Sequence, residues 1–165
     1  MEQDKEKLHY LLNYLRGINK VFEEDWQKAA KKIGLTQAEQ HTLWIVYLEK
    51  EVTVTRIAEI GLWDVSTVMQ VLKRLKEKEL VETKKKSSDR RVSYVYLTEK
   101  GKQKQKQSSE GYYQFYEFFE EYRGQDERNK KVLDDALELL KECNRHFHGR
   151  DFVNWIEHSG KTFSQ

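Results

Sequence analysis

Proline is absent from the 165 residues and cysteine occurs once, at Cys143. Without proline nothing obliges a helix to break, and with only eight glycines long uninterrupted helices are expected. A single thiol excludes an internal disulfide, and Cys143 reads as a buried small apolar residue rather than a redox centre. No run approaches the roughly 18 consecutive apolar residues of a membrane span. The N-terminus, MEQDKEKLHY, lacks the cationic-then-apolar order of a signal peptide, so a cytoplasmic protein is expected. Phosphate-binding glycine loops, HExxH and informative Cys-His or Ser-His spacings are missing too, so no enzyme is expected. His146 and His148 stand two apart on a helical stretch and do not face each other. No metal or cofactor is implied.

Charge is plentiful but unevenly placed. The net charge of +2 divides into −2 over residues 1–72, +8 over residues 73–106 and −4 over residues 107–165. A cationic segment this short, in an otherwise acidic chain, is the footprint of a face that meets a polyanion. Its densest part reads KKKSSDRR, from Lys84 to Arg91.

Apolar residues recur at helical spacing over residues 4–33 (Leu8, Leu11, Leu12, Leu15, Ile18, Phe22, Trp26), which predicts a long amphipathic helix stopped by Gly34. Thr36 and Glu39 have the spacing of a capping box and open a second helix, with His41 partly buried in it. A short helix over residues 53–60 and another opened by Asp64 or Ser66 follow, with Gly61 supplying the permissive backbone between them. In the second, Val68, Val71, Leu72 and Leu75 face inward. The pair forms a helix-turn-helix. Strands over residues 81–85 and 92–97 enclose the turn-forming KKSSDRR and read as a hairpin, or wing. Thr98 caps one further helix, cationic at first and then aromatic through Tyr112, Tyr113, Phe115, Tyr116, Phe118, Phe119 and Tyr122. A last helix covers residues 126–147, and a C-terminal turn or helix follows. The fold class is mainly α with a small β-hairpin wing.

A helix about 12 Å across fits the major groove of duplex DNA, where base edges differ in donors and acceptors. The outward positions of the second helix of the pair are Ser66, Thr67, Met69, Gln70, Lys73 and Arg74. Gln70 suits an adenine edge, Thr67 or Met69 a thymine methyl, and Ser66 and Lys73 phosphate. On the wing, Arg90 and Arg91 suit a narrow minor groove, while Lys84, Lys85 and Lys86 would neutralise phosphates. Asp89 repels phosphate and is expected to orient an arginine.

The segment DRRVSYVYLTEKG resembles the Asp-x-Arg, spacer, Leu-Thr-x-x-Gly signature of the MarR family of bacterial winged-helix regulators, with Asp89, Arg91, Leu97, Thr98 and Gly101 on its positions. VSTVMQVLKRLKEKELV is similar to that family's recognition helix and first wing strand, and the likeness spans about residues 8–145. The family pattern has Gly where Glu79 stands. The resemblance implies a homodimeric, sequence-specific regulator of transcription, a repressor that blocks polymerase on a pseudo-palindromic operator. Residues 1–34 and 102–165 would form the helical dimerisation region, and residues 35–101 the winged helix-turn-helix. The long amphipathic helices agree, since a second chain could cover their apolar stripes. Many relatives hold phenolic effectors between these regions. The aromatic run is read here as core or dimer interface, and an effector, where one acts, would change the spacing of the two winged units. Two alternatives stand beside the main reading: a ligand- or redox-responsive sensor of the same family, and a winged-helix module that binds an acidic protein.

Overall fold

In a computed structural model the described residues are 2–86, 89–111 and 113–162, without the side chains of residues 2, 3, 86, 89 and 90. Among them the order is α1 (Glu2–Lys32), α2 (Gln37–Glu49), β1 (Val52–Thr53), α3 (Val54–Gly61), α4 (Val65–Glu77), β2 (Val81–Lys86), β3 (Asp89–Leu97), α5 (Glu99–Ser109), α6 (Gln114–Gln125), α7 (Glu127–His148) and α8 (Arg150–Lys161). The strands form one antiparallel sheet in the order β1-β3-β2.

Local chemistry sets most of these boundaries. Gly34 takes a left-handed φ of 72° and ends α1 as expected, with Leu35 N–H donating to Ala30 O. Thr36 and Glu39 form the anticipated capping box: the Glu39 amide donates to Thr36 Oγ1 and the Thr36 amide to Glu39 Oε2 at 2.8 Å. The core of the winged region is built from Leu43, Ile45 and Val46 of α2, Ile57 and Ile60 of α3, the inward face of α4, Leu80 in the link that follows it, and Val81 and Val95 of the sheet. Each buried aliphatic side chain contributes about 1.5–3 kcal/mol, against roughly 1 kcal/mol for a helix cap. Packing therefore fixes where α4 lies, and its cap fixes where it starts.

The turn between α3 and α4 departs from expectation. The left-handed residue is Leu62, at φ 55°, rather than Gly61, which ends α3. Gly61 serves packing instead: a Cβ there would lie 2.5 Å from the Trp63 ring. Trp63 in turn meets His41, which is held between Trp63 and Trp26 at ring separations of 5.2 Å. Burial there lowers the His41 pKa to about 4, so the ring stays neutral at physiological pH.

The single long helix expected after the wing is two. Gly111 N–H closes a turn on Ser108 O, and α6 restarts at Gln114. Its cap comes from elsewhere in the chain: buried Asp25 of α1 accepts the Phe115 amide at 3.0 Å. Around the break, Gln40 donates to Ser108 Oγ and Tyr113 OH and accepts from the Trp26 indole, while the Trp44 indole donates to Ser108 Oγ. Strand β1 is also new. It is two residues long, pairs Val52 with Val95 and Thr53 with Tyr94, and is too short to leave an alternating pattern. Cys143 is exposed on α7 rather than buried.

The base of the wing is locked to the end of α4. Glu79 holds a left-handed φ of 62°, the conformation that glycine adopts freely, at a cost of about 1–2 kcal/mol for a residue with a Cβ. Thr98 N–H donates to Leu80 O, and Thr98 Oγ1 donates to Glu79 O and accepts the Gly101 amide. A Cβ at Gly101 would sit 2.0 Å from Leu80 O. Backbone, unlike a side-chain end, has no rotamer by which to yield. Gly101→Ala is therefore expected to lower stability by about 1–3 kcal/mol, read as a fall in the urea midpoint. Unchanged stability would show that α5 and Leu80 do not approach this closely.

Candidate nucleic-acid interface

Helix α4 starts at Asp64, whose carboxylate accepts the Thr67 amide at 2.7 Å and the Thr67 hydroxyl at 2.8 Å. The Ser66 hydroxyl donates to it as well. These bonds, led by the Ser66 hydroxyl, hold the Asp64 pKa at about 2. Capping therefore occupies two hydroxyls that the sequence offers to DNA. Ser66 remains exposed, whereas Thr67 is half-buried.

Beyond the cap, α4 divides cleanly. Val68, Val71, Leu72 and Leu75 are buried. Met69, at 55% exposure, lies with Gln70, Lys73 and Arg74 on the exposed side. Met69, Gln70 and Lys73 thus present one apolar group, one amide and one ammonium within about one turn of the helix, the mixture that reads base edges and phosphates.

Arg74 is engaged with protein. Its Nε lies 3.3 Å from Oε1 of Glu39, a carboxylate only 1% exposed, while Lys78 Nζ donates to Glu39 Oε2 at 2.7 Å. Lys78 also donates to Gly34 O. The single carboxylate of Glu39 thus caps α2 and ties down the C-terminal half of α4. Among the described residues its Oε1 accepts no hydrogen bond, so Arg74 is attracted but not latched. The capping role of Glu39 shows in its spacing from Thr36; its pairing with Arg74 of α4 and with Lys78 at the end of that helix carries no local signal.

The wing pairs Val81 with Leu97, Glu82 with Tyr96, Thr83 with Val95, Lys84 with Tyr94 and Lys85 with Ser93, and then shifts register so that Lys86 faces Asp89. Such a bulge bends and twists the strand toward its tip. Lys84 is exposed, paired with Glu82 at 2.6 Å and lying 5.7 Å from the Tyr96 ring centre. Lys85 and Arg91 are exposed too. The side chains of Lys86, Asp89 and Arg90 lie outside the described residues, as does Tyr112, so the orienting role expected of Asp89 is not placed. A tie that the sequence does not announce joins wing to helix: Lys76 Nζ donates to Thr83 Oγ1 at 3.1 Å.

A helix-turn-helix whose second helix is bolted to a three-stranded wing defines a winged-helix protein. Among solved structures, the fold is similar to that of a mutant MarR from E. coli in complex with operator DNA, at a TM-score of 0.66 and 17% identity over 81% of this chain and 95% of that one. The MarR family profile matches residues 35–93. The regulator Hpr of Bacillus licheniformis is 31% identical over 161 residues, which cover 90% of this chain and 70% of Hpr. The chain belongs to the MarR family. Hpr of Geobacillus thermodenitrificans is 40% identical over 88 residues, 53% of this chain, and there the match spans less than half of the relative's length, at 44%. Among the described residues, no helix is long and apolar enough to cross a membrane.

The buried Glu39 makes a prediction about pH. Burial opposes its charge, but Lys78, the Thr36 amide and Arg74 outweigh burial and hold its pKa below the ordinary 4.5. A carboxylate depressed in the folded state stabilises above its unfolded pKa and loses that contribution as pH falls through the folded value. Glu39→Gln keeps the shape of the cap, so stability should drop near neutral pH and fall less steeply below about pH 4.5 than in the parent. Identical acid limbs would remove Glu39 from this role.

Proposed function

We propose that the chain is a sequence-specific, double-stranded-DNA-binding transcriptional regulator that acts as a homodimeric repressor in the cytoplasm. The observation that carries this reading is the junction of an exposed Met69-Gln70-Lys73 face with a cationic wing, in the one segment where the chain is strongly positive. In this reading α4 enters the major groove, Gln70 reads a base edge and Met69 meets a thymine methyl. Lys73 and the Ser66 end of the helix meet phosphates. Lys84, Lys85, Lys86, Arg90 and Arg91 follow the backbone and minor groove beside it. Arg74 divides its charge between Glu39 and the nearest phosphate. The sister reading, an acidic protein as partner, has no feature here that favours it over a duplex.

Dimerisation is supported by apolar surface left uncovered. Leu8, Leu11, Leu12, Leu15 and Ile18 form an exposed stripe along α1, and Leu137, Leu139, Leu140 and Phe147 another on α7, where Leu139 is 65% and Phe147 75% exposed. Helix α7 has no buried residue among those described. A free monomer rarely leaves apolar stripes of this length in water. A second copy would cover them and, by two-fold symmetry, present two winged units to a pseudo-palindromic site.

Fluorescence anisotropy with promoter and random duplexes tests the proposal. Binding should be tight at low salt and weaken steeply as salt rises, and Lys73→Ala or Arg91→Ala should lessen the salt slope by about 0.9 each. Gln70→Ala should cost about 1–3 kcal/mol on the preferred sequence and little on random DNA. Failure to bind either duplex in dilute buffer would refute the reading.

A further inference from the structure

Helix α4 exposes apolar surface that the fold does not use. Apart from Tyr47 on α2, the large apolar side chains exposed in residues 35–101 are, among those described, Leu62, Val65 and Met69. Leu62 belongs to the turn, whereas Val65 and Met69 stand on α4 itself at 49% and 55% exposure. Val65 is the first residue of the helix. A β-branched side chain lowers helix propensity, and half exposed it adds little to the core. An apolar pair left in water costs free energy that a partner outside the chain can recover.

Side chains four apart on a helix share a face, so two columns run along the exposed side of α4. One carries Ser66, Gln70 and Arg74, of which Ser66 is bonded to Asp64 and Arg74 is drawn to Glu39. The other carries Val65, Met69 and Lys73. In a helix-turn-helix the residues that open the second helix are those that reach base edges in the major groove. The second column therefore sets two apolar groups over the groove floor, with an ammonium beyond them. The apolar group that this floor offers is the C5-methyl of thymine. A second copy of the chain is a poorer occupant, because Lys73 and the exposed Lys85 and Arg91 of the wing would face like charges.

We propose that Val65 and Met69 together read thymine C5-methyl groups, and that each winged unit selects two thymines for them. The two residues lie about 6 Å apart along the helix axis, against about 3.4 Å between stacked bases, so the thymines are one or two steps apart. Gln70, beside Met69, bonds an adenine edge. Adenine pairs with thymine, so one short run of A·T pairs satisfies all three side chains. The inference rests on the DNA-binding reading and adds to it the residue Val65 and the chemical group that is recognised.

A duplex that the full chain recovers from a random pool, remade with deoxyuridine at every thymine, keeps each donor and acceptor and loses only the methyl groups. In fluorescence anisotropy the deoxyuridine duplex should bind about fourfold more weakly for each methyl contacted, as loss of one buried methyl gives. On random DNA the same exchange should change little. Val65→Ala and Met69→Ala, both at exposed positions where alanine suits a helix, should each bring the two affinities closer, and the double variant should erase the difference. The proposal is overturned if the parent binds thymine and deoxyuridine duplexes equally, or if the variants weaken both duplexes alike and the preference remains. Recovery of no duplex from the pool would instead overturn the DNA-binding reading itself.

Discussion

The carbonyl of Leu80 is where α4 and the wing become one body. It accepts the Thr98 amide and tolerates the start of α5 only because Gly101 has no side chain. Glu79, just before it, turns the chain in a left-handed conformation and gives its own carbonyl to the Thr98 hydroxyl. Without this knot, α4 and β2 would be joined by a short link free to pivot, and the face carrying Gln70 and Lys73 would not keep a fixed angle to Lys85 and Arg91. Geometric complementarity to a duplex, whose grooves have set widths, depends on that angle. The Lys76–Thr83 bond holds the same joint from its other side.

A second constraint acts from beneath. Glu39 is a buried charge, and burial alone would make it destabilising. Arg74 of α4, Lys78 at its C-cap and the cap of α2 offset that cost, so one carboxylate joins the two helices. The arrangement costs the interface something: Arg74 is drawn toward protein. It also gives α4 a polar anchor at its C-terminal half to match the Asp64 cap at its start.

Much of this was legible in the order of residues, because it rests on short-range chemistry. The capping box at Thr36 and Glu39, the inward face of α4, the cap at Thr98 and the stop at Gly34 all act within a few residues and left the expected spacing. What stayed hidden acts over long separations. Asp25 caps α6 across 90 residues, so a break that local pattern did not suggest is stabilised from α1. Strand β1 exists because β3 offers it an edge. Gly61 was expected to supply the permissive backbone of the turn but leaves space for the Trp63 ring, while Leu62 takes the left-handed conformation. Cys143 has an apolar pattern around it, yet no residue of α7 is buried within the described chain. For the interface, exposure of Met69, Gln70 and Lys73 followed from helical period alone. The engagement of Ser66, Thr67 and Arg74 with carboxylates did not.

In the proposed assembly, two copies of a rigid helix-and-wing unit, set apart by the uncovered helices α1 and α7, grip one face of a duplex. Hydroxyl-radical footprinting of a bound operator measures that arrangement directly. It should reveal two protected patches on the same face with centres about one helical turn apart, roughly 34–36 Å, each flanked by protection in the minor groove where the wing lies. A single patch, or protection spread evenly along the duplex, would contradict it.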